Sequence, residues 1–142
     1  MPDRGNHLRL FLLTLLVLSS GPVYAEWVAV SHNKEGMTVY VDPGTIRTQG
    51  SMVKVWELYD QAIVQTGQKP GLTGLGGSFL SMKALSEYDC AEERSRSLAY
   101  QHFTGNMGRG KLVYSNSVEG KWEPIAPDSI GRFVWKFACK KK

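Results

Sequence analysis

Two cysteines constrain this chain more than any other feature. Cys90 and Cys139 are the only two in the sequence, and a disulfide between them would close a loop of about 50 residues, worth about 4 kcal/mol on the chain-entropy model. The alternative is a reactive thiol, which requires a neighbour that lowers the thiol pKa. Asp89 beside Cys90 has the opposite effect, whereas Lys136 and Lys140 near Cys139 would favour reactivity. The compartment in which the protein folds decides between them, because an oxidising compartment favours the disulfide.

The N-terminal segment predicts export from the cell. Residues 1–25 begin with basic residues, continue with the apolar run 10–18, and end in Val23-Tyr24-Ala25, the small-residue spacing after which signal peptidase cleaves. A spanning helix needs about 20 apolar residues and this run has about nine, so we expect a cleaved signal peptide rather than a membrane anchor. No cysteine stands directly after the run, so lipid attachment is not expected. Because exported domains fold under oxidising conditions, we expect the two cysteines to be bonded.

The remaining chain has the length of a single domain. Residues 26–139 are long enough to bury an apolar core, and residues 140–142 form a basic tail. The formal net charge of the whole chain is +4, and three lysines of that tail account for much of it. This mild excess, placed at one end, gives no indication of a nucleic-acid partner.

Alternation of apolar and polar residues predicts strands over 27–31, 37–41, 52–60, 79–90, 96–103 and 111–115. Most connections between them are short, which favours antiparallel neighbours. Residues 61–78 are polar and glycine-rich and are predicted to connect two strands. They lack the Gly-Lys-Ser/Thr ending of a phosphate-binding loop.

The last segment changes to helical periodicity. Asp128 and Ser129 provide capping oxygens, and an apolar stripe follows at i, i+3, i+4 and i+7: Ile130, Phe133, Val134 and Phe137. A helix this short must dock to be stable, and docking on the sheet face that carries Cys90 would bring Cys139 to it. The sequence therefore predicts an α+β fold: an antiparallel sheet of about six strands with one C-terminal helix packed on a face, stapled by a disulfide.

No constellation in the sequence predicts catalysis, a metal or a cofactor. His32 and His102 lack a second metal-binding residue at ligand spacing. Ser115 or Ser117 could meet His102 across neighbouring strands, but the Gly-x-Ser-x-Gly context of many hydrolases is absent. We therefore expect no catalytic residues and no enzymatic activity.

Aromatic residues are the better candidates for binding. All four tryptophans are expected to fill the core: Trp27, Trp56, Trp122 and Trp135. Tyr100, Arg109 and Tyr114 are the predicted binding residues, because they lie on late strands or the turn between them, away from the helix stripe.

An ordered set of residues resembles the surface-adhesin protein E family. The set covers residues 26–139 and comprises Trp27, Tyr40-Val41-Asp42, Val55-Trp56, Tyr88-Asp89-Cys90, Arg94, Arg96, Asn106-Met107-Gly108, Gly110, Trp122, Pro127, Ser129, Trp135 and Cys139. The resemblance implies an antiparallel sheet with a C-terminal helix, in agreement with the periodicity. It also implies binding of extracellular proteins.

These observations predict an exported, non-catalytic binding protein that presents a sheet face or its loops to extracellular or envelope proteins. Its expected location is periplasmic, outer-membrane-associated or secreted, with no transmembrane span after signal cleavage. Two alternatives stay open: a structural protein of the periplasm, and a small-ligand protein with a cleft beneath the 61–78 connection.

Overall fold

The computed structural model describes residues 25–65 and 78–140. The strands are β1 (Val28–His32), β2 (Met37–Val41), β3 (Arg47–Gln49), β4 (Met52–Gln65), β5 (Phe79–Asp89), β6 (Arg94–Phe103), β7 (Leu112–Asn116) and β8 (Glu123–Pro124). The helix α1 (Ile130–Ala138) follows them, and short 3-10 turns occupy Pro43–Thr45 and Asn106–Gly108. The predicted signal peptide and the end of the basic tail lie outside the described residues.

The described strands form one antiparallel sheet in the order β1-β2-β4-β5-β6-β7. The short β3 pairs with β4, and β8 pairs with β6. Every pairing is antiparallel, as expected for strands joined by short connections. The predicted α+β fold is thereby confirmed, with six strands in the main order and two short ones beside it.

One boundary of the prediction is wrong. The connection was expected over 61–78, but β4 continues through Gln65, which pairs with Phe79. Ile63 and Val64 in this extension are 69% and 50% exposed. Because neither side chain is buried, the sequence here lacks the apolar/polar alternation that marks a strand. The glycine-rich remainder, 66–77, lies outside the described residues.

Alternation along β4 separates two faces of the sheet. The face that carries Val53 and Val55, which we call the helix face, packs against α1. The opposite face carries Lys54 and Trp56, and we call it the open face. The core lies on the helix face and comprises Val39, Val41, Val53, Val55, Tyr88, Ile125, Val134, Trp135 and Ala138.

The helix begins where its cap was expected, and its predicted inward stripe packs on the core at Ile130, Val134 and Phe137 but not at Phe133. Ser129 Oγ accepts a hydrogen bond from Arg132 N–H as the N-cap. Val134, Trp135 and Ala138 are its buried residues, whereas Phe133 is 48% exposed. The predicted inward stripe was therefore wrong at Phe133. The Trp135 side chain lies on the inward side of the helix, where its Nε1 donates to the Asp89 carbonyl at 3.2 Å.

The disulfide between Cys90 and Cys139 is present, with the two Cα atoms 5.7 Å apart. It joins the residue after β5 to the residue after α1. The predicted staple is confirmed, and the described part of the chain holds no free cysteine.

The tryptophans do not all belong to the core. Trp135 is buried as expected, but Trp27, Trp56 and Trp122 are only partly buried. Trp122 covers the guanidinium groups of Arg94 and Arg96, whose Cζ atoms lie 4.9 and 4.6 Å from its ring centroid. The expectation that tryptophans fill a single core is wrong for these three, because the open face holds indoles that α1 does not reach.

Candidate functional site

Four aromatic rings meet on the part of the helix face formed by β5, β6 and β7. The rings belong to Phe79, Tyr100, His102 and Tyr114, and we call them the aromatic patch. Phe79 stacks on His102 with ring centroids 4.1 Å apart. The centroid distances among Tyr100, His102 and Tyr114 are between 5.4 and 5.6 Å. All four side chains are partly exposed, so the rings form a surface.

Strand register places the rings together. His102 on β6 pairs directly with Tyr114 on β7, and Tyr100 lies two residues before His102 on the same face. Directly opposed and diagonal neighbours in an antiparallel pair are within reach of aromatic side chains. Asn116 adds a polar contact, since its Nδ2 donates to the Tyr114 hydroxyl at 3.2 Å. The patch is therefore a fixed product of the sheet.

A shallow pocket of about 230 Å³ adjoins the patch. It is lined by Tyr59, Met82, Ala84, Ser86, Ser97 and Tyr100. Its lining combines apolar side chains with hydroxyls, which suits the insertion of one apolar or aromatic side chain of a partner.

Below this pocket lies a buried carboxylate. Glu57 is 0% exposed, and its two oxygens accept hydrogen bonds from the hydroxyls of Tyr59 at 2.5 Å and Tyr88 at 2.6 Å. Burial raises the pKa of Glu57, and these hydrogen bonds oppose the rise only in part. Burial, with the nearby Glu57 charge, raises the pKa of both tyrosines well above its ordinary value. The tyrosines therefore remain donors, and the bond to Glu57 holds Tyr59, which lines the pocket.

The geometry does not assemble acid–base machinery around His102. Burial among aromatic rings lowers the pKa of His102. Ser115 pairs with Gln101, so it lies on the face opposite to His102. Within residues 25–65 and 78–140, no three His, Cys, Asp or Glu side chains are grouped to hold a metal ion. The neighbours of His102 that the structure describes are aromatic rings that form a contact surface.

The structure brings together two of the three predicted binding residues. Tyr100 and Tyr114 are neighbours in the patch, and the Tyr114 hydroxyl raises the pKa of Tyr100 by hydrogen bonding. Arg109 lies instead in the turn that follows Asn106–Gly108. The Asn106–Gly108 segment packs on Asp60 and Ser81 of the open face. A role in binding stays a prediction for all three.

Sequence reasoning missed two members of the patch. His102 and Phe79 were not proposed as contact residues, although Tyr100 and His102 stand at i and i+2 on one predicted strand. That spacing places two rings on one face. Nothing in the sequence indicated Phe79, because it pairs with Gln65 on β4 and has no partner on β6.

A further observation concerns the membrane. Among the residues that the structure describes, no helix combines the length and the apolar character needed to cross a bilayer.

Comparisons with known proteins give one consistent result. The family model of surface-adhesin protein E matches residues 27–140. Three solved structures of similar fold are a selenomethionine form of Haemophilus influenzae protein E, its crystal form II, and protein E from non-typeable Haemophilus influenzae. Each is 12% identical to this chain over 83% of its length. Their TM-scores are 0.61, 0.61 and 0.54, and 88%, 90% and 78% of those chains are covered. No curated protein sequence matches this chain.

Proposed function

Because this chain belongs to the surface-adhesin protein E family, we propose that it is an exported, non-catalytic binding protein that presents its aromatic patch to a protein partner. The observation that carries the proposal is the partly exposed group of four rings on a hydrogen-bonded sheet. Aromatic residues are enriched among the side chains that dominate binding energy in protein interfaces.

The rigidity of the patch supports this role. Its side chains stand on β5, β6 and β7, which are joined by continuous antiparallel pairing apart from single irregularities. A preformed surface loses little conformational entropy when a partner binds. The tyrosines add hydroxyl groups that can form hydrogen bonds at the rim of an interface.

The size of the neighbouring pocket separates this function from the small-ligand alternative. Its volume of about 230 Å³ lies below the roughly 300–1,000 Å³ of typical ligand pockets. It is open and shallow, so it suits one inserted side chain better than a whole small molecule. We therefore favour a protein partner on this face.

Export supports the same proposal. The predicted signal peptide lies outside the described residues, and the disulfide between Cys90 and Cys139 is typical of a protein that folds in an oxidising compartment. Fractionation of native cells into periplasm, outer membrane and medium tests this directly. Recovery of the protein with an intact N-terminal segment in the cytoplasm would contradict it.

Binding is tested with the exported protein against purified extracellular-matrix proteins and against purified envelope proteins immobilised on a surface. We expect saturable binding to at least one of them, and a loss of about tenfold or more for Tyr114→Ala, the size expected of an interface anchor.

The matched control is Phe133→Ala, which removes an exposed aromatic ring from α1 and not from the patch. Its affinity should equal that of the unaltered protein. No saturable binding in either panel, or equal losses for the two variants, would refute the proposed function of the patch.

A further inference from the structure

The open face carries a second, chemically different cleft. Its volume is about 280 Å³, and it is lined by Trp27, Asp42, Thr45, Trp56, Lys83 and Gln101. Two indoles, one ammonium group, one amide and one carboxylate therefore converge on a single shallow space. None of these side chains belongs to the aromatic patch, which lies on the opposite face.

The ammonium group of Lys83 is held in place without a counter-ion. Its Nζ lies 5.3 Å from the centroid of the Phe103 ring. Gly108 has φ +69°, and a Cβ built there would lie 2.3 Å from Lys83 Cε, so the lysine stem passes directly against this glycine. Within the described residues, Lys83 forms no ion pair. Lys83 thus supplies a positioned cation to the cleft that the two indoles also line.

The positive charge continues along the same face. A neighbouring cleft of about 370 Å³ is lined by Arg47, Thr48, Gln49, Met52, Lys54 and Glu87. Arg47 lies directly opposite Lys54 in the pairing of β3 with β4, and like charges in this position repel. Neither cation forms an ion pair within the part of the chain that the structure describes.

Two nearby carboxylates are engaged by arginines, although Glu87 also lies directly opposite Lys54 in the pairing of β4 with β5. Glu87 is paired with Arg96, whose Nη2 lies 2.6 Å from Glu87 Oε2, and Asp89 is paired with Arg94 at 3.0 Å. We call Lys83, Trp56, Lys54 and Arg47 the Trp56 strip. Its three cations form no ion pair within the described residues. Charge complementarity calls for an anionic ligand with apolar surface.

We propose that the Trp56 strip binds an acidic saccharide, namely a chain whose sugar units carry carboxylates. Sugar carboxylates would pair with Lys83 and Lys54 through charge-assisted hydrogen bonds. The C–H surfaces of the rings would pack on Trp56, as apolar groups pack on aromatic faces. Sugar hydroxyls both donate and accept, which matches the amide of Gln101 and the oxygens around it.

The carboxylates in the two clefts distinguish a saccharide from a nucleic acid. Asp42 lines the first cleft, with its Oδ1 accepting from Gly44 N–H, and Glu87 lines the second. Both would repel a closely spaced row of phosphates, whereas both can accept hydrogen bonds from sugar hydroxyls. The proposal does not depend on the aromatic patch, because the two surfaces lie on opposite faces.

The probe is a set of hyaluronan oligosaccharides, in which every second sugar carries a carboxylate. Titration of the exported protein, followed by tryptophan fluorescence and by calorimetry, should show saturable binding that weakens as ionic strength rises. N-acetylglucosamine oligomers of the same length are the uncharged comparison and should bind at least about tenfold more weakly, as expected when charged hydrogen bonds are lost.

Variants assign the binding to the strip. Lys83→Gln and Lys54→Gln should each weaken hyaluronan binding by about tenfold, and Trp56→Leu by about threefold to tenfold. Lys136→Gln is the matched control, because it removes the same charge from an exposed position on α1. It should leave the affinity unchanged.

Three results would overturn the proposal. Equal binding of the neutral oligomers would show that the cations do not select the ligand. An equal loss for Lys136→Gln would show that only net charge matters. Tighter binding of a thymidine oligonucleotide, lost in the same strip variants, would assign the strip to nucleic acid instead.

Discussion

The two faces of the sheet differ in what holds their side chains in place. The helix face is closed over β1, β2 and part of β4 by α1, the disulfide and an uncharged core. The open face instead carries paired charges at one end and unpaired cations beside half-exposed indoles in the middle. The core residues that stabilise the fold and the residues of the Trp56 strip therefore lie on opposite faces. Substitutions can alter one set without changing the other.

Loss of the disulfide should produce the largest change in stability. The double variant Cys90→Ala/Cys139→Ala should lower the free energy of unfolding by about 4 kcal/mol, because the staple no longer restricts the unfolded chain. Urea denaturation of both proteins measures the difference.

A thiol titration of the unaltered protein, isolated without reductant, is the companion measurement. It should find no reactive thiol. Two reactive thiols, or a double variant as stable as the parent, would show that α1 is held by packing alone.

The packing contribution is tested by two neighbouring residues of α1. Val134 is 0% exposed and Phe133 is 48% exposed. Val134→Ala should lower the free energy of unfolding by about 2 kcal/mol through a lost transfer contribution and a cavity. Phe133→Ala, the matched control, should change it by less than about 0.5 kcal/mol in urea denaturation. A larger effect at Phe133 would mean that the predicted stripe does face the sheet.

The main features of the fold were predictable from the sequence because each had a strong local signal. Alternation in β2, β4 and β5 reflects a buried face, and Ser129 has the side chain of a helix cap. Phe133 was misassigned because an i, i+3, i+4, i+7 count does not distinguish it from Trp135. The inward side of a short helix also depends on tertiary contacts such as the Trp135 hydrogen bond to Asp89.

The candidate surfaces were less predictable. Tyr100 and Tyr114 could be proposed from their positions, but Phe79 joins the patch by stacking on His102, which strand patterns do not predict. The Trp56 strip requires knowledge of which charges are paired across strands. Trp56 itself was assigned to the core, since an apolar residue on either face of a central strand gives the same pattern. Sequence reasoning identifies a strand with two apolar sides and cannot say which side is covered.

The buried Glu57 gives a test within the helix face. Its pKa is raised above 4.5, so between pH 4.5 and the raised value the folded protein binds more protons than the unfolded chain. The free energy of unfolding therefore falls as pH rises through that window. Glu57→Gln does not titrate, and its amide can accept from one tyrosine and donate to the other. The variant should gain stability relative to the parent as pH rises.

Denaturation at a series of pH values measures this difference. Asp89 has the opposite linkage: hydrogen bonding by the Glu92 N–H and Arg94 lowers its pKa, so its contribution disappears as pH falls through that lowered value. It is present in both proteins and cancels in the comparison. A stability difference that is independent of pH would show that Glu57 keeps an ordinary pKa.

The smallest expected change belongs to the open face. Lys83→Gln and Lys54→Gln should each alter the free energy of unfolding by less than about 0.5 kcal/mol, because neither lysine forms an ion pair within the described residues. Lys54 lies opposite Arg47 on one side and Glu87 on the other, so the lost repulsion and the lost attraction offset each other, and both are largest at low ionic strength. Urea denaturation at two salt concentrations measures both effects. Losses above about 1 kcal/mol would show that these cations support the fold. If the free energy of unfolding hardly changes, the variants are as well folded as the parent. Any loss of saccharide binding in them would then come from the missing lysine and not from unfolding.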